Sequence, residues 1–370
     1  MKICIVVPYF TPYVRGNEYG LAQSLTELGH EVTIIASTGK APREKMVAKN
    51  AREFYYEFKV EYLPTILDIG ENPIVPSAFI HIFKNNYDLI LLQEDYQNIC
   101  HLAYVAAKIK KIPTILSTER TYYPENFAKR VLLKWFDKTI NKIIRNGVEL
   151  YTAHCTAAQD FVIKELKVPR EVKVIPVGVD INLFYPQKNK NQYLKEGDFK
   201  ILTVARLHNY KGLEYLIKAM KIVIAKHPNA KLYILGKGAE RENLENLIKD
   251  LNLNSNIIFI KESIPNPKMP ELYAECDLYV QPSIIEPYGI AVLEAMACGK
   301  PVIGTKVGGM LDTIKDGKTG FLVEPRDYKE LAKKILEIHN IKEEFGRSAR
   351  ERVMEGFDWK GIAIKYLQTV

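Results

Sequence analysis

Two glutamates, Glu286 and Glu294, stand eight residues apart in IIEPYGIAVLEAMACG, residues 284–299. If the whole span were helical, that spacing would be about 12 Å of rise. Carboxyl pairs that work on one glycosidic bond stand about 5–5.5 Å or 6.5–9.5 Å apart, so a shared acid/base role is disfavoured. Pro287 and Gly289 argue that a helix begins between the two acids. Its first N–H groups are free, and Gly289 lets a ligand approach the backbone, which together suit phosphate. An anion flanked by two hydroxyl-binding carboxylates describes a nucleotide-sugar. The plainer alternative is a helix with one capping acid and one incidental acid.

A second constellation weighs against the plainer alternative. ILTVARLHNYKGLEYLIKAM, residues 201–220, reads as a strand ending at Arg206, a loop carrying Lys211, and a helix. Two fixed cations at the carboxyl end of a strand suit a diphosphate leaving group, whose charge grows as the glycosidic bond breaks. Alone, each would read as an ordinary surface residue. YILGKGAERENL, residues 233–244, adds a Gly236-x-Gly238 turn after a strand. It is not a full dinucleotide fingerprint, because Arg241 stands where a third glycine is needed.

The elements that must position these residues alternate in type. Short β-rich runs (KICIVVPYF, EVTIIAS, YDLILLQ, PTILST, ELYTAHC, VKVIPVGV) are separated by helical patterns. That alternation predicts parallel sheets with crossover helices, an α/β fold binding ligand at the carboxyl ends of its strands. The pattern lapses over 180–198, which has no apolar periodicity and reads as a linker. It resumes at FKILTVARL and runs through AKLYILGKG, NIIFI, DLYVQPS and PVIGTKVGG. A chain of 370 residues carries two domains of roughly 150–200 residues each.

Composition narrows the classes further. With 47% apolar and 26% charged residues the chain reads as a soluble globular protein. The N-terminus goes from a short β-branched run into Pro8 and Tyr9, so it reads as a first strand rather than a signal peptide, and a cytoplasmic location is expected. Five scattered cysteines, histidines without i, i+4 spacing and the lack of Asp-x-Asp predict no protein-built metal site and no cofactor. Net charge is +8, and the stretch 126–145 holds six basic residues against one acid. Its apolar members, among them Leu132, Leu133, Trp135, Phe136, Ile140, Ile143 and Ile144, fall at helical spacing. The plain expectation is a core-packed amphipathic helix with a solvated basic back; the other is a helix in peripheral contact with an anionic membrane. Nucleic acid is not expected, because no basic stripe is interleaved with aromatics at strand spacing.

Taken together, the chain resembles the retaining glycosyltransferases of family 4, with their GT-B architecture of two Rossmann-like, doubly wound parallel-sheet domains facing across a cleft. The resemblance covers essentially the whole length. It is strongest from VIPVGVDINLFYP to GFLVEP, through VARLHNYKG, the Glu-x7-Glu spacing of Glu286 and Glu294, and GKPVIGTKVGG. It implies an acceptor-side domain 1–178 completed by a C-terminal helix 357–370, a linker 179–198, and a nucleotide-sugar-binding domain 199–356. It implies that Arg206 and Lys211 hold the donor diphosphate and that Glu286 contacts the donor sugar. Gly289, Ile290 and Ala291 would offer backbone N–H groups, and Glu294 would bind the ribose hydroxyls. Gly16, Gly236 and Tyr288 belong to the same donor set.

Three places depart from the family pattern. Gly16-Asn17 replaces a Gly-Gly pair, with Asn17 able to take a left-handed turn. LLQEDYQ offers Gln93, Glu94 and Asp95 where a histidine motif is usual, and STERTYY puts Glu119 or Arg120 where a histidine often lies. Glu119 could equally be a loop carboxylate paired with Arg120. The expected activity is metal-independent transfer, with retention, from a UDP-, GDP- or ADP-sugar to a sugar, glycan or lipid-linked hydroxyl, in the cytoplasm or at the inner face of the membrane. The alternatives are a nucleotide-sugar epimerase or a phosphorylase of the same fold, or a non-catalytic sugar-nucleotide-binding subunit.

Overall fold

A computed structural model describes residues 1–11, 16–38, 57–69, 72–188, 190 and 192–369. It divides into two compact units, Met1–Gly178 with Trp359–Val370, and Val179–Asp358. In the first, the strands are β1 (Lys2–Val6), β2 (Glu31–Ser37), β3 (Lys59–Leu63), β4 (Leu67–Asp68), β5 (Pro73–Ile74), β6 (Leu89–Gln93), β7 (Thr114–Thr118), β8 (Leu150–Ala153) and β9 (Lys173–Val174). All but the antiparallel pair β4–β5 join one parallel sheet in the order β3-β2-β1-β6-β7-β8-β9. Helices cover both faces of such a sheet, so its central strands are apolar at every position rather than at alternate ones. Thus Ile3, Cys4, Ile5 and Val6 of β1 are all fully buried.

The second unit repeats the plan. Its strands are β10 (Phe199–Val204), β11 (Ala230–Leu235), β12 (Ile257–Ile260), β13 (Leu278–Gln281), β14 (Val302–Thr305) and β15 (Gly320–Val323). They pair in parallel in the order β12-β11-β10-β13-β14-β15. Their core joins Ile201, Leu232, Leu278 and Ile303 of the sheet to Leu216, Ile217 and Met220 of the helix Leu213–Lys226. In each sheet the strand order reverses once, between β1 and β6 and between β10 and β13. Such a switch point opens a crevice at the carboxyl ends of the two strands.

The C-terminal helix Trp359–Leu367 belongs to the first unit, with Trp359, Ile362, Ala363 and Tyr366 buried. It packs on the helix Asn17–Glu27 so closely that a Cβ on Gly20 would meet Trp359 Nε1 at 2.1 Å. The described residues of 179–198 hold no helix and no strand beyond one bridge from Val179 to Asp358, yet they are fastened to the second unit. Buried Glu275 accepts the N–H groups of Gln192, Tyr193 and Leu194 at 2.6, 2.8 and 2.7 Å. Arg350 donates to the carbonyls of Phe184 and Ile181 at 2.8 and 3.3 Å. The segment is an arm laid on the unit, not a loose tether.

Two local expectations are corrected. Asn17 takes no left-handed turn: it opens the helix Asn17–Glu27, and Gly16 before it is extended at φ −71°, ψ −165°. The preceding 12–15 lie outside the described residues. The stretch 126–145 is not one helix with its apolar side in the core. It breaks at Thr139 (φ −119°, ψ −101°) into Phe127–Lys138 and Ile140–Gly147. Its buried side is mostly polar: Asp137, Asn141 and Arg145 are buried together with Ile144, whereas Phe127, Val131, Leu132, Trp135, Ile140 and Ile143 are exposed.

An ion network from elsewhere in the chain causes this inversion. Arg120 grips Asp137 with both guanidinium ends at 3.0 and 2.9 Å. Arg145 reaches Asp95 at 2.6 Å and Asp137 at 3.0 Å, while Asn141 donates to Asp137 at 2.9 Å. Burial works to raise the Asp137 carboxyl, but the Arg120 guanidinium, Asn141 and Arg145 hold it below the usual range. Buried charges persist only when paired and hydrogen-bonded in this way.

Candidate active site

In the second unit the switch point brings together the ends of β10 and β13. Arg206 lies two residues beyond β10, exposed, with its guanidinium 5.9 Å from the Tyr210 ring centre. Lys211 ends a short 3-10 turn, Asn209–Lys211, and its Nζ stands 5.5 Å from the same ring. The turn is tied to the loop after β13, because Ile284 and Ile285 both donate their N–H to the Tyr210 carbonyl at 2.8 and 3.1 Å. Gly236, just after β11, lies on the other side of the Arg206 loop: a Cβ there would meet the Ala205 carbonyl oxygen at 1.8 Å. Arg206, Lys211 and Gly236 therefore line adjoining loops at one edge.

Glu286 is drawn into the same place. Lys211 Nζ meets its Oε2 at 2.6 Å, with both side chains largely buried. Gln281 Nε2 and Ser283 Oγ donate to that oxygen too, at 3.1 and 3.0 Å. The Tyr279 hydroxyl donates to Gln281 Oε1 at 2.6 Å, which fixes the amide with its NH2 toward the carboxylate. Three donors thus hold Oε2, while Oε1 has no partner among the described residues. The carboxylate is aimed before any ligand arrives.

The helix Ile290–Ala297 starts four residues after Glu286, capped by Gly289 at φ 94°. A left-handed turn there favours glycine and leaves the helix's first N–H groups uncovered by any side chain. The turn is braced from behind by Val307–Gly309: Gly309 N–H donates to the Pro287 carbonyl at 3.0 Å. Gly308, at φ 52°, approaches so near that a Cβ would lie 1.7 Å from the Glu286 carbonyl oxygen. The ring of Tyr288 is buried at 2% exposure, so it builds this turn and presents no face to a ligand. Ile290 and Ala291 are partly exposed at the helix start.

Glu294 is held apart from Glu286. The Tyr273 hydroxyl donates to its Oε2 at 2.7 Å, and Asn266 Nδ2 lies 3.4 Å from Oε1. Burial pushes its carboxyl up to about 7, against the lowering pull of these two hydrogen bonds. The two acids therefore have separate surroundings. Gln281, Ser283, Tyr273 and Asn266 were not singled out in the sequence. The first two carried a signal: with Tyr279 they alternate along β13 and its exit, polar groups in an otherwise apolar run.

In the first unit, β6 and β7 end beside each other. Glu94 follows β6 at φ 75°, a conformation that costs a non-glycine residue about 1–3 kcal/mol. Its carboxylate accepts the Thr118 hydroxyl at 2.7 Å and the Glu119 N–H at 2.6 Å. Burial, then the neighbouring Glu119 and Asp95 carboxylates, raises it to about 8. Glu119 is exposed, whereas Arg120 turns inward to Asp137 and is ringed by Tyr96, Tyr123 and Phe161 at 5.3–5.4 Å. Gly16 caps the helix Asn17–Glu27, beyond the end of β1.

Residues 19–183 match the family described as Glycosyltransferase Family 4, and residues 186–352 match Glycosyl transferases group 1. An uncharacterized glycosyltransferase of Methanocaldococcus jannaschii is 35% identical, over 98% of this chain and 96% of its own. The N-acetyl-alpha-D-glucosaminyl L-malate synthase of Bacillus anthracis is 26% identical, over 95% and 91%. Among solved structures, Anabaena Alr3699/HepE in complex with UDP is similar with a TM-score of 0.78 at 22% identity, over 100% of this chain and 99% of that one.

Proposed function

The chain belongs to glycosyltransferase family 4 and has the GT-B type of fold, and from that premise we propose that it moves a sugar from a nucleotide-sugar to a hydroxyl acceptor with retained configuration. The observation that carries this reading is Glu286: three donors fix one oxygen of its carboxylate and leave the other open beside a helix start. A sugar hydroxyl donates to that open oxygen. The diphosphate then lies on the N–H groups of Gly289, Ile290 and Ala291, with Arg206 and Lys211 as its cations. Glu294 accepts the ribose hydroxyls, Tyr288 shapes the turn, and Gly236 gives the backbone room near Arg206. Gly16, at the start of the helix Asn17–Glu27, belongs to the same proposed donor set.

Charge accumulates on the β-phosphate as the glycosidic bond breaks, and fixed cations stabilise that charge without reorganising. Lys211 is already held by Glu286, so its ammonium serves sugar ligand and leaving group together. The acceptor hydroxyl attacks from the face the leaving group departs, and the departing phosphate oxygen takes its proton. No resident metal or cofactor is invoked. The acceptor is a sugar, glycan or lipid-linked hydroxyl bound on the first unit near Glu119, met in the cytoplasm or at the inner face of the membrane.

UDP is the first nucleotide to try, because the Anabaena structure is recorded with it; GDP and ADP follow. Turnover of the corresponding sugars is read by mass spectrometry with and without an acceptor panel. Transfer that needs the acceptor supports the reading, and product formed without one points to an epimerase. Glu286→Gln keeps the size of the side chain but loses the charge, and is expected to lower kcat by about 10²–10³-fold. Full activity in that variant sinks the assignment.

A further inference from the structure

We propose that the outward side of the helices Phe127–Lys138 and Ile140–Gly147 is a docking surface for an anionic lipid bilayer. The proposal deepens, and rests on, the reading of a transferase whose acceptor is met at a membrane. Its starting point is the inverted pattern of these helices. Asp137, Asn141 and Arg145 recur every four residues and are buried in the ion network with Asp95 and Arg120. The opposite side leaves Phe127, Ile143, Trp135 and Leu132 at 71, 66, 57 and 54% exposure. An apolar stripe of this extent on a soluble surface marks an interaction site.

Charge selects the occupant. Lys129, Lys134, Lys138 and Lys142 are exposed on the same two helices, and the only acid on them, Asp137, is buried. A second copy of the chain would set this basic side against itself. A nucleic acid would match the lysines but leave Val131, Leu132 and Ile143 in water. An anionic bilayer satisfies both: its headgroups take the lysines and its acyl boundary takes the aliphatic and aromatic side chains. The helices are too short and too charged to span, and among the described residues no helix is long and apolar enough to cross a membrane. They lie in the interface plane. Asn126 caps the first helix, accepting the Lys129 N–H at 3.0 Å, and the ion network orders both helices beforehand, so docking costs little ordering entropy.

The test is co-sedimentation of the full chain with vesicles of phosphatidylglycerol and phosphatidylcholine, against phosphatidylcholine alone. Binding is expected only with the anionic lipid and is weakened by salt. Each of Lys134→Gln, Lys138→Gln and Lys142→Gln should lower partitioning roughly fivefold. Trp135→Ser should lower it roughly tenfold. Met354→Ser, an equally exposed apolar residue in the other unit, should change nothing. These side chains are exposed, so the variants fold; thermal shift by nucleotide confirms it. No sedimentation, equal sedimentation with neutral vesicles, or association of the chain with itself through this side would each overturn the proposal. Transfer to a soluble acceptor is unchanged in the variants, so failure here is distinct from failure of the transferase reading.

Discussion

Among single residues, Glu294 is the group whose titration reports on the site. Its carboxyl sits at about 7, raised by burial, and the unfolded chain would titrate it near 4.3. Because the folded value is the higher, the stability this group contributes is present below the unfolded value and is lost as pH rises toward 7. In its proposed role at the ribose, Glu294 accepts the diol in its ionised form. Nucleotide affinity is therefore expected to fall by up to about tenfold per pH unit below that value, with proton release on binding. Calorimetry in buffers of different ionisation enthalpy reads this directly, and the Glu294→Gln variant should lose the proton term. Equal proton release in the variant would assign it to the phosphates instead. Lys211→Ala leaves Glu286 with only its Gln281 and Ser283 donors. A drop of at least tenfold in nucleotide affinity is expected, since a charge-assisted contact is worth about 1.5–3 kcal/mol.

At the scale of elements, the turn Val307–Gly309 holds the Glu286 loop by close backbone contact. Gly308→Ala combines a left-handed backbone with a Cβ placed 1.7 Å from the Glu286 carbonyl oxygen, so the loop must move. We expect destabilisation of more than about 1 kcal/mol in urea unfolding, together with lost donor binding; unchanged nucleotide affinity would show that the loop tolerates the shift. The ion network is a second such device. Arg145→Met leaves Arg120 to serve both Asp95 and Asp137, one cation for two buried carboxylates, at a cost of about 3–5 kcal/mol by urea unfolding, whereas Leu132→Ser on the outer side stays within about 0.5 kcal/mol. The contrast marks what was legible in the sequence. The continuous apolar runs of β1, β6 and β10 announced themselves, as did the helix start at Gly289 and the cations after β10. β3 did not, because its alternating KVEYL is a half-exposed edge strand. Nor did the inversion of 126–145, since periodicity assumes that apolar means inside. Asp95 and Arg120, 42 and 17 positions from Asp137, reverse that rule through contacts no local pattern carries. The aim of Glu286 was hidden likewise, depending on Lys211, 75 positions away.

Across the whole molecule, the second unit is inserted into the first. The chain leaves the first unit at Gly178 and re-enters it at Trp359. Deleting residues 359–370 removes Trp359, Ile362 and Tyr366 from the first unit, a loss of about 3–5 kcal/mol for a large buried aromatic alone. Hydrogen exchange should then rise in Asn17–Glu27 and around Ser117, which bonds Tyr366 at 3.0 Å, while the second unit keeps its protection. Equal loosening of both units would mean that they fold as one. Gly20, with no side chain, is the notch into which Trp359 fits. That late fit gives synthesis an order of its own. A ribosome releases the whole inserted unit before it emits the tryptophan that completes the earlier one. The second unit therefore has all its residues before the first is complete, and released chains truncated after Asp358 should keep the second unit resistant to protease while the first, made earlier, is cut.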